Sequence, residues 1–153
     1  MVMENFVNKV RLIREDELKS LLLLYDYLNL DDPVLEVNES LKKLWNSIIS
    51  HPDYFYLAAE EDGMLVSTCN LTIVKNLTRC ARPYGLIENV VTHPHYRKKG
   101  FGTAVLKKAI QIAREHDCYK VMLLTSQKDD NTLNFYENSG FNREEKTGFI
   151  IRI

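Results

Sequence analysis

The residues whose types and spacing best indicate chemistry form a basic, glycine-containing segment, Arg97 to Gly102, between an apolar stretch and a helical pattern. The stretch Leu86 to Thr92 is rich in apolar and β-branched residues, which predicts a buried strand that Pro94 ends. After Gly102, apolar residues recur at the helical period. The unpaired N–H groups of a helix's first turn attract anions, and glycines let a ligand approach them closely. The segment therefore predicts a pyrophosphate site.

The spacing of the glycines excludes two common phosphate-binding motifs. The Walker pattern is absent because no Gly-Lys-Ser/Thr stands at the helix start, and Val105 occupies the third small position of the dinucleotide fingerprint. The pattern Arg97-x-x-Gly100-x-Gly102 resembles instead the acetyl-CoA signature of the Gcn5-related N-acetyltransferase (GNAT) family. The segment Asn134 to Phe141 resembles the second hallmark of that family, Phe-Tyr-x-x-x-Gly-Phe. For the first motif alone, an ordinary strand, turn and helix with solvated lysines is the alternative.

The resemblance implies an N-acetyltransferase with acetyl-CoA as co-substrate, in which the strand before the glycine loop spreads from its neighbour and binds the pantetheine arm. That role falls on Val90, Val91 and Thr92, with Val91 as the backbone donor to the developing oxyanion. Asn131 caps a helix and also reaches the pantetheine, or it only caps the helix. The pyrophosphate would contact the loop and the first helical turn, which comprise Arg97, Lys98, Lys99, Gly100, Gly102 and Thr103.

Two further side chains suit acetyl transfer, which needs a neutral amine and a protonated or solvated leaving thiolate. Tyr136 is the candidate general acid, because a phenol is protonated at neutral pH and can donate to the departing sulfur. The alternative for Tyr136 is a core aromatic beneath the sheet. Glu88 is a carboxylate within an apolar strand, which is unfavourable unless the group is paired or used. We predict that Glu88 acts as a base through water or holds an ammonium group, or else lies on an exposed strand face.

Three stretches are similar to eukaryotic glucosamine-6-phosphate N-acetyltransferases: Ile87 to Val91, Cys118 to Val121, and Ile151-Arg152. This similarity implies a small-molecule amine as acceptor, more narrowly an amino-sugar phosphate, and a homodimer in which Arg152 contacts the partner subunit's site. Leu124 departs from the pattern, since that branch carries an amine-orienting aspartate there. The implied substrate contacts are Arg79, Glu88, Tyr119, Lys120 and Arg152.

Two other functions fit the same motifs. A protein lysine or N-terminal acetyltransferase would need an open, acidic groove, and the acidic clusters available to build it are Glu15 to Glu17 and Asp31-Asp32. A sensor domain would bind acetyl-CoA without turnover. The sequence leaves these alternatives open.

Composition limits the other classes of partner. The length of 153 residues predicts a single domain over 1–153, and the net charge of −1 gives no reason to expect nucleic acid or a membrane as partner. Three dispersed cysteines fit reduced thiols in the cytoplasm. The N-terminus shows no signal pattern, and the apolar runs are too short for a membrane span. The histidines are scattered without metal-ligand spacing, so we predict no metal site.

The elements that must position these residues follow the order β-α-α-β-β-β-α-β-α-β. Predicted strands lie at 10–14, 54–59, 64–74, 86–92, 119–125 and 149–153. Predicted helices lie at 15–29, after the N-cap Asn38, after Gly102, and in a short segment ending at Asn138. A hairpin at Asp62-Gly63 that leads into β-α-β predicts an α/β (α+β) fold with a mixed, mostly antiparallel central sheet and helices on both faces. The GNAT resemblance implies the same order.

Overall fold

The computed structural model describes residues 9–153 and contains a five-stranded sheet in the order β1-β2-β3-β4-β5. The strands are Val10–Leu12 (β1), Tyr54–Glu61 (β2), Met64–Val74 (β3), Tyr84–Thr92 (β4) and Val121–Met122 (β5). Neighbouring strands from β1 to β4 are antiparallel, whereas β4 and β5 are parallel. The predicted mixed, mostly antiparallel sheet is therefore confirmed.

Four longer helices cover the two faces of this sheet. They are Leu18–Tyr25 (α1), Glu39–Ile49 (α2), Phe101–Glu115 (α3) and Asp130–Asn138 (α4). The apolar side of α3 packs on one face of the sheet, and aromatic residues of α4 join the same core. Residues of α1 and α2, with Trp45 at the centre, form a second core on the opposite face. Shorter helical turns lie at Glu15–Glu17, Thr78–Ala81 and Pro94–Tyr96, and no described helix has both the length and the apolar character of a membrane span.

Local sequence signals account for several boundaries. The Asn38 side chain accepts a hydrogen bond of 2.9 Å from the Leu41 N–H and so caps α2 as predicted. The hairpin between β2 and β3 turns through Asp62 and Gly63, whose φ angles are 51° and 74°. Aspartate and glycine tolerate this left-handed backbone better than most residues, which is why this pair favours a two-residue turn.

The structure corrects the sequence predictions at three places. The predicted last strand at 149–153 is wrong: these residues form no strand, and Phe149 is 91% exposed. The predicted strand at 119–125 shrinks to Val121–Met122, and the predicted helix at 15–29 becomes the short turn Glu15–Glu17 followed by α1. An apolar, β-branched run favours a strand only where a neighbouring edge is available to pair with it, and propensity does not report that.

A network of ion pairs fastens β1 to the start of α1. The Arg11 guanidinium on β1 donates two hydrogen bonds of 2.7 Å to the Glu17 carboxylate and also contacts Glu60 on β2. The Arg14 N–H donates to the same Glu17 carboxylate at 2.7 Å. Hydrogen bonding from Arg11 is the largest influence that lowers the pKa of Glu17 below its ordinary value of 4.5.

Substitution Glu17→Gln should lower the free energy of unfolding at pH 7 by about 1.5–3 kcal/mol, because charge-assisted hydrogen bonds are lost. A carboxylate with a lowered folded-state pKa stabilises the fold above its unfolded pKa and loses that contribution as the pH falls. The difference between the wild type and the variant should therefore shrink below about pH 4.5 in urea titrations. The exposed Glu15→Gln is the matched control, and an equal difference at pH 7 and pH 3 would contradict the assignment.

Candidate active site

An irregularity lies in the middle of β4. Thr68 of β3 stands opposite Val91 and Asn70 stands opposite Glu88, so two residues of β4 occupy the space of one on β3. The extra residue is accommodated at Asn89, whose φ of 53° is left-handed. Asparagine is one of the few side chains that adopt this conformation readily. This β-bulge bends β4 and leaves backbone groups unpaired, as bulges near functional sites commonly do.

Beyond the first residues of β4, its edge toward β5 is open. The register with β5 consists of Gly85 opposite Val121 and Leu86 opposite Met122, and β5 ends there. Among the described residues, no strand therefore pairs with 87–92 of β4 on that side. This edge is the part of the sheet where a ligand could pair with backbone N–H and C=O groups.

The hydrogen-bond pattern shows which backbone groups face this open edge. The His93 N–H donates to the Val66 carbonyl of β3 at 2.8 Å. Hydrogen-bonded and non-bonded pairs alternate in an antiparallel ladder, so the pair Thr68 and Val91 also faces inward, and Ser67 Oγ donates to the Val91 carbonyl at 3.2 Å. By the same alternation Val90 faces the open edge. This geometry favours Val90 over the predicted Val91 as the N–H donor to a carbonyl oxygen.

The loop between β4 and α3 brings the first turn of α3 close to this edge. Lys98 and Gly100, with φ of 59° and 95°, are left-handed, and Gly100 is the N-cap of α3. A Cβ atom on Gly102 would lie 3.1 Å from the Phe135 ring and 3.2 Å from Thr92 Oγ1, so larger residues would displace these neighbours. The N–H groups of the first turn of α3 have no partner within the helix. The loop thus has the shape of an anion cradle, and its binding of a pyrophosphate stays a prediction.

Three cations surround this cradle. Arg97, Lys98 and Lys99 are all exposed. Arg97 Nε donates to the Thr92 carbonyl at 3.1 Å, and Lys99 Nζ lies 5.0 Å from the centre of the Tyr96 ring. Within residues 9–153, none of the three forms an ion pair with a carboxylate. Their charge is therefore available to a bound phosphate.

Tyr136 lies near the bulge on the face of the sheet that α3 covers. Its ring is half-buried, 4.9 Å from the Phe135 ring and 6.3 Å from the Phe141 ring. Burial is the first cause that raises the pKa of Tyr136, with Cys69 and the Glu88 carboxylate adding to it. The phenol therefore keeps its proton at neutral pH. Tyr136 is thus a packed aromatic residue, and the charge of Glu88 contributes to the raised pKa of its hydroxyl.

Glu88 and Asn131 are both exposed. For Glu88, both a role in catalysis and that of an exposed strand residue stay open, whereas one of the two roles predicted for Asn131 is excluded. Glu88 stands on β4 opposite Asn70, next to the bulge. Asn131 lies in the first turn of α4 and is not its cap, because the Asp129 side chain accepts the capping hydrogen bond from the Thr132 N–H at 3.0 Å. The capping alternative for Asn131 is therefore wrong, and its contact with pantetheine stays a prediction.

At the other end of β4, four side chains form what we call the cation–aromatic cluster: Arg79, Tyr84, Tyr119 and Lys120. The Arg79 guanidinium lies 5.9 Å from the Tyr119 ring centre, and Lys120 Nζ lies 5.1 Å and 5.5 Å from those of Tyr84 and Tyr119. Arg79 is held in an unusual left-handed turn with φ of 56°. The sequence analysis predicted Arg79, Tyr119 and Lys120 as substrate contacts but missed Tyr84, because a tyrosine in a predicted strand gives no functional signal. Arg152 lies apart, exposed in the tail.

Metal binding and catalysis by a cysteine are two further kinds of chemistry for which the described residues can be searched. No group of three or more His, Cys, Asp or Glu side chains within 9–153 is placed to hold a metal ion. The three cysteines, Cys69, Cys80 and Cys118, are free thiols. Burial raises the pKa of Cys69 to about 12, so this thiol is a poor nucleophile at neutral pH.

Curated relatives match part of the chain. Glucosamine 6-phosphate N-acetyltransferase of Trypanosoma brucei brucei is 40% identical over 84 residues, which are 55% of this chain and 55% of that protein. N-alpha-acetyltransferase 30 of Xenopus laevis is 34% identical over 96 residues, which are 62% of this chain and 34% of that protein. The chain thus spans about half or less of the length of these two relatives.

A solved structure extends the similarity to nearly the whole chain. A protein of Agrobacterium tumefaciens, described as a candidate acetyltransferase, is 43% identical with a TM-score of 0.89, over 94% of this chain and 99% of that one. The family model described as acetyltransferase (GNAT) family matches residues 21–141. This match covers well over half of the chain and confirms the resemblance read from the two motifs. The chain belongs to the acetyltransferase (GNAT) family.

Proposed function

We propose that the protein is an acetyl-CoA-dependent N-acetyltransferase that transfers an acetyl group to the primary amine of a small molecule by direct attack in a ternary complex. The observation that carries this proposal is the open edge of β4 beside the anion cradle of α3. An extended ligand with a diphosphate at one end and an amide-containing arm at the other matches both features. Acetyl-CoA is such a molecule, and it supplies an acetyl group activated as a thioester.

Different residues of this chain would hold the pyrophosphate and the pantetheine arm of acetyl-CoA. The pyrophosphate would accept hydrogen bonds from the first turn of α3 and from Arg97, Lys98 and Lys99. The pantetheine arm would pair with the open edge at Val90 and Thr92, with Asn131 nearby. The Val90 N–H would donate to the acetyl carbonyl oxygen as negative charge develops there.

The same geometry supports roles for two titratable groups. Tyr136 would donate its proton to the departing sulfur as the carbon–sulfur bond breaks and the carbon–nitrogen bond forms. Glu88 would accept the proton that the amine loses, directly or through water. Burial raises the pKa of Cys69, so an acetylated intermediate on this cysteine is unfavourable, which is consistent with direct attack by the amine.

The cation–aromatic cluster supports a phosphorylated acceptor, such as an amino-sugar phosphate. Tyr84 and Glu88 are four residues apart on β4, about 13 Å at a rise of about 3.3 Å per residue. The long side chains of Arg79 and Lys120 shorten that span, so a phosphate and an amine on one small molecule could occupy both positions. The relative from Trypanosoma brucei brucei, by its name an acetyltransferase of glucosamine 6-phosphate, supports the same class.

The tail supports a homodimer. Phe149, Ile151 and Ile153 are largely exposed apolar residues, and β5 is an outer strand of the sheet that residues 9–153 form. A Cβ on Gly148 would lie 2.7 Å from a methyl group of Leu124, so the tail starts beside the segment that follows β5. Strand pairing with a second copy would bury these side chains and bring Arg152 toward the partner's cation–aromatic cluster.

A peptide N-terminus is the second candidate acceptor, because N-alpha-acetyltransferase 30 of Xenopus laevis is also a relative. One predicted acidic cluster does not support this alternative, since Glu17 is buried and paired with Arg11 and Arg14. A thiol-release assay with acetyl-CoA and a panel of phosphorylated amino sugars, polyamines, amino acids and peptides separates the candidates. Turnover with peptides alone would replace the small-molecule acceptor, and tight acetyl-CoA binding without turnover of any amine would indicate a sensor.

Substitution Gly100→Val should weaken acetyl-CoA binding by at least about 100-fold, because a branched side chain at a left-handed N-cap strains the cradle and blocks the phosphate. Isothermal titration calorimetry measures this change. Gly63→Val is the matched control, since Gly63 is also left-handed but lies in the β2–β3 turn, where a Cβ would have no atom within 4 Å. Equal affinities for the wild type and Gly100→Val would remove the cradle from the site.

Substitution Tyr136→Phe should lower kcat by about 10²-fold or more while changing the Kd for acetyl-CoA little, because a general acid acts in the transition state. In the wild type, kcat should fall only at strongly alkaline pH, since the raised pKa keeps the phenol protonated up to and beyond its ordinary value of 10. Steady-state kinetics across pH check both. An unchanged kcat would leave Tyr136 a packing residue.

Substitutions Arg79→Ala and Arg152→Ala should each raise KM for a phosphorylated amine about tenfold or more and leave the Kd for acetyl-CoA unchanged, because each removes a cation that pairs with phosphate. Arg114→Ala, exposed on α3, is the control. Light scattering should give the mass of a dimer. If only Arg79→Ala raises KM, or if the protein is a monomer, the role of the tail is wrong.

A further inference from the structure

Two buried side-chain polar atoms of residues 9–153 have no hydrogen-bond partner within the protein, and both belong to elements that meet at the β4 bulge. They are the Tyr25 hydroxyl and the Asn70 side-chain carbonyl oxygen. Buried polar atoms are nearly always paired, with protein or with ordered water. Two such atoms on elements that meet beside the bulge therefore point to a partner that is not a protein side chain.

Asn70 lies directly at the register shift of the bulge. It stands opposite Glu88 on β4 and opposite Tyr56 on β2, and it is only 8% exposed. Its strand neighbour Cys69 lies on the other face, with Sγ 3.6 Å from the Val105 carbonyl of α3. The Asn70 amide therefore occupies the face that α1 and α2 cover.

Tyr25 approaches the bulge from the last turn of α1. Its ring packs in the core that contains Val91 and Tyr56. Burial is the main cause that raises its pKa, whereas hydrogen bonding from the Asn89 side chain, which does not meet the geometry of a full hydrogen bond, lowers it. The hydroxyl thus lies near the left-handed residue that creates the bulge. A bulge also leaves backbone groups of its extra residue unpaired, which gives a buried water further partners.

We propose that an internal water site lies at the β4 bulge, held by the Tyr25 hydroxyl and the Asn70 carbonyl oxygen, and that this site positions the open edge of β4. The water accepts a hydrogen bond from Tyr25, donates one to Asn70 Oδ1, and keeps its second proton for the bulge backbone. Tyr25 and Asn70 are then positioning residues: they contact no substrate but fix the spacing between Glu88 and Val90. Only this positioning role rests on the proposed acetyl transfer; the water site does not.

The sign of a stability change tests the water site without any assay of activity. If the Tyr25 hydroxyl is bound to water, Tyr25→Phe should lower Tm by about 2–4 °C, because a hydrogen bond is lost. If the hydroxyl has no partner, removing it should leave Tm unchanged or raise it, and the proposal is overturned. Tyr54→Phe, on the exposed part of β2, is the control.

A double-mutant cycle tests whether the two side chains share the site. Tyr25→Phe and Asn70→Leu should together lower Tm by clearly less than the sum of their separate effects, because either change alone displaces the water. Additive effects would show separate environments and contradict a shared site. If Asn70→Leu does not fold, Asn70→Thr takes its place in the cycle.

Structure and kinetics complete the test. A crystal structure of the wild type should show a water within about 2.7–3.2 Å of both atoms, and its absence from Tyr25→Phe. Tyr25→Phe should lower kcat about tenfold with little change in the KM for the amine, an effect that a loss of stability alone would not produce. No water at the bulge would overturn the site, and an unchanged kcat would overturn the positioning role. If the wild type turns over no amine, the proposed function is refuted. The water site is then decided by the Tm measurements and the crystal structure alone.

Discussion

The candidate site depends on one backbone constraint, the single extra residue that β4 accommodates at Asn89. The bulge turns β4 away from the line of its neighbours, and β5 pairs with it only at Gly85 and Leu86. Both irregularities have a cost, since unpaired backbone groups and a left-handed non-glycine residue are unfavourable. The surrounding cores offset this cost on both faces of the sheet. A strand edge that is rigid but unpaired is what an extended ligand needs for backbone pairing.

The two ends of β4 then present different chemistry. Its C-terminal end leads into the glycine loop, the first turn of α3 and three cations. Its N-terminal end lies beside the cation–aromatic cluster, with Glu88 between the two. In the proposed reaction, a single strand thereby sets the distance between the anion cradle for acetyl-CoA and the positively charged surface for the acceptor.

The sequence predicted the parts of this site whose chemistry is local. The glycine spacing at Gly100 and Gly102 predicted the cradle, because its cause, a left-handed N-cap and close contact with Phe135, acts within a few residues. Asp62-Gly63 and Asn38 were predicted for the same reason.

The tail at 149–153 was predicted wrongly because strand formation depends on a distant pairing edge. The choice between Val90 and Val91 was also beyond the sequence, because one extra residue at the bulge decides which N–H groups face outward. Tyr25 gave no signal, since a tyrosine at helical spacing is an ordinary core feature. Asn70 fits the resemblance to the glucosamine-6-phosphate N-acetyltransferases, but nothing in the sequence placed it beside Tyr25.

Binding of acetyl-CoA along the open edge of β4 can be observed directly through backbone amide resonances. In a titration of the ¹⁵N-labelled protein with acetyl-CoA, the amides of Val90, Gly102 and Thr103 should shift strongly and gain protection from hydrogen exchange, whereas the amide of Val91, already paired with β3, should gain none. Saturable binding that leaves Val90 and the first turn of α3 unchanged would contradict the site described for this protein.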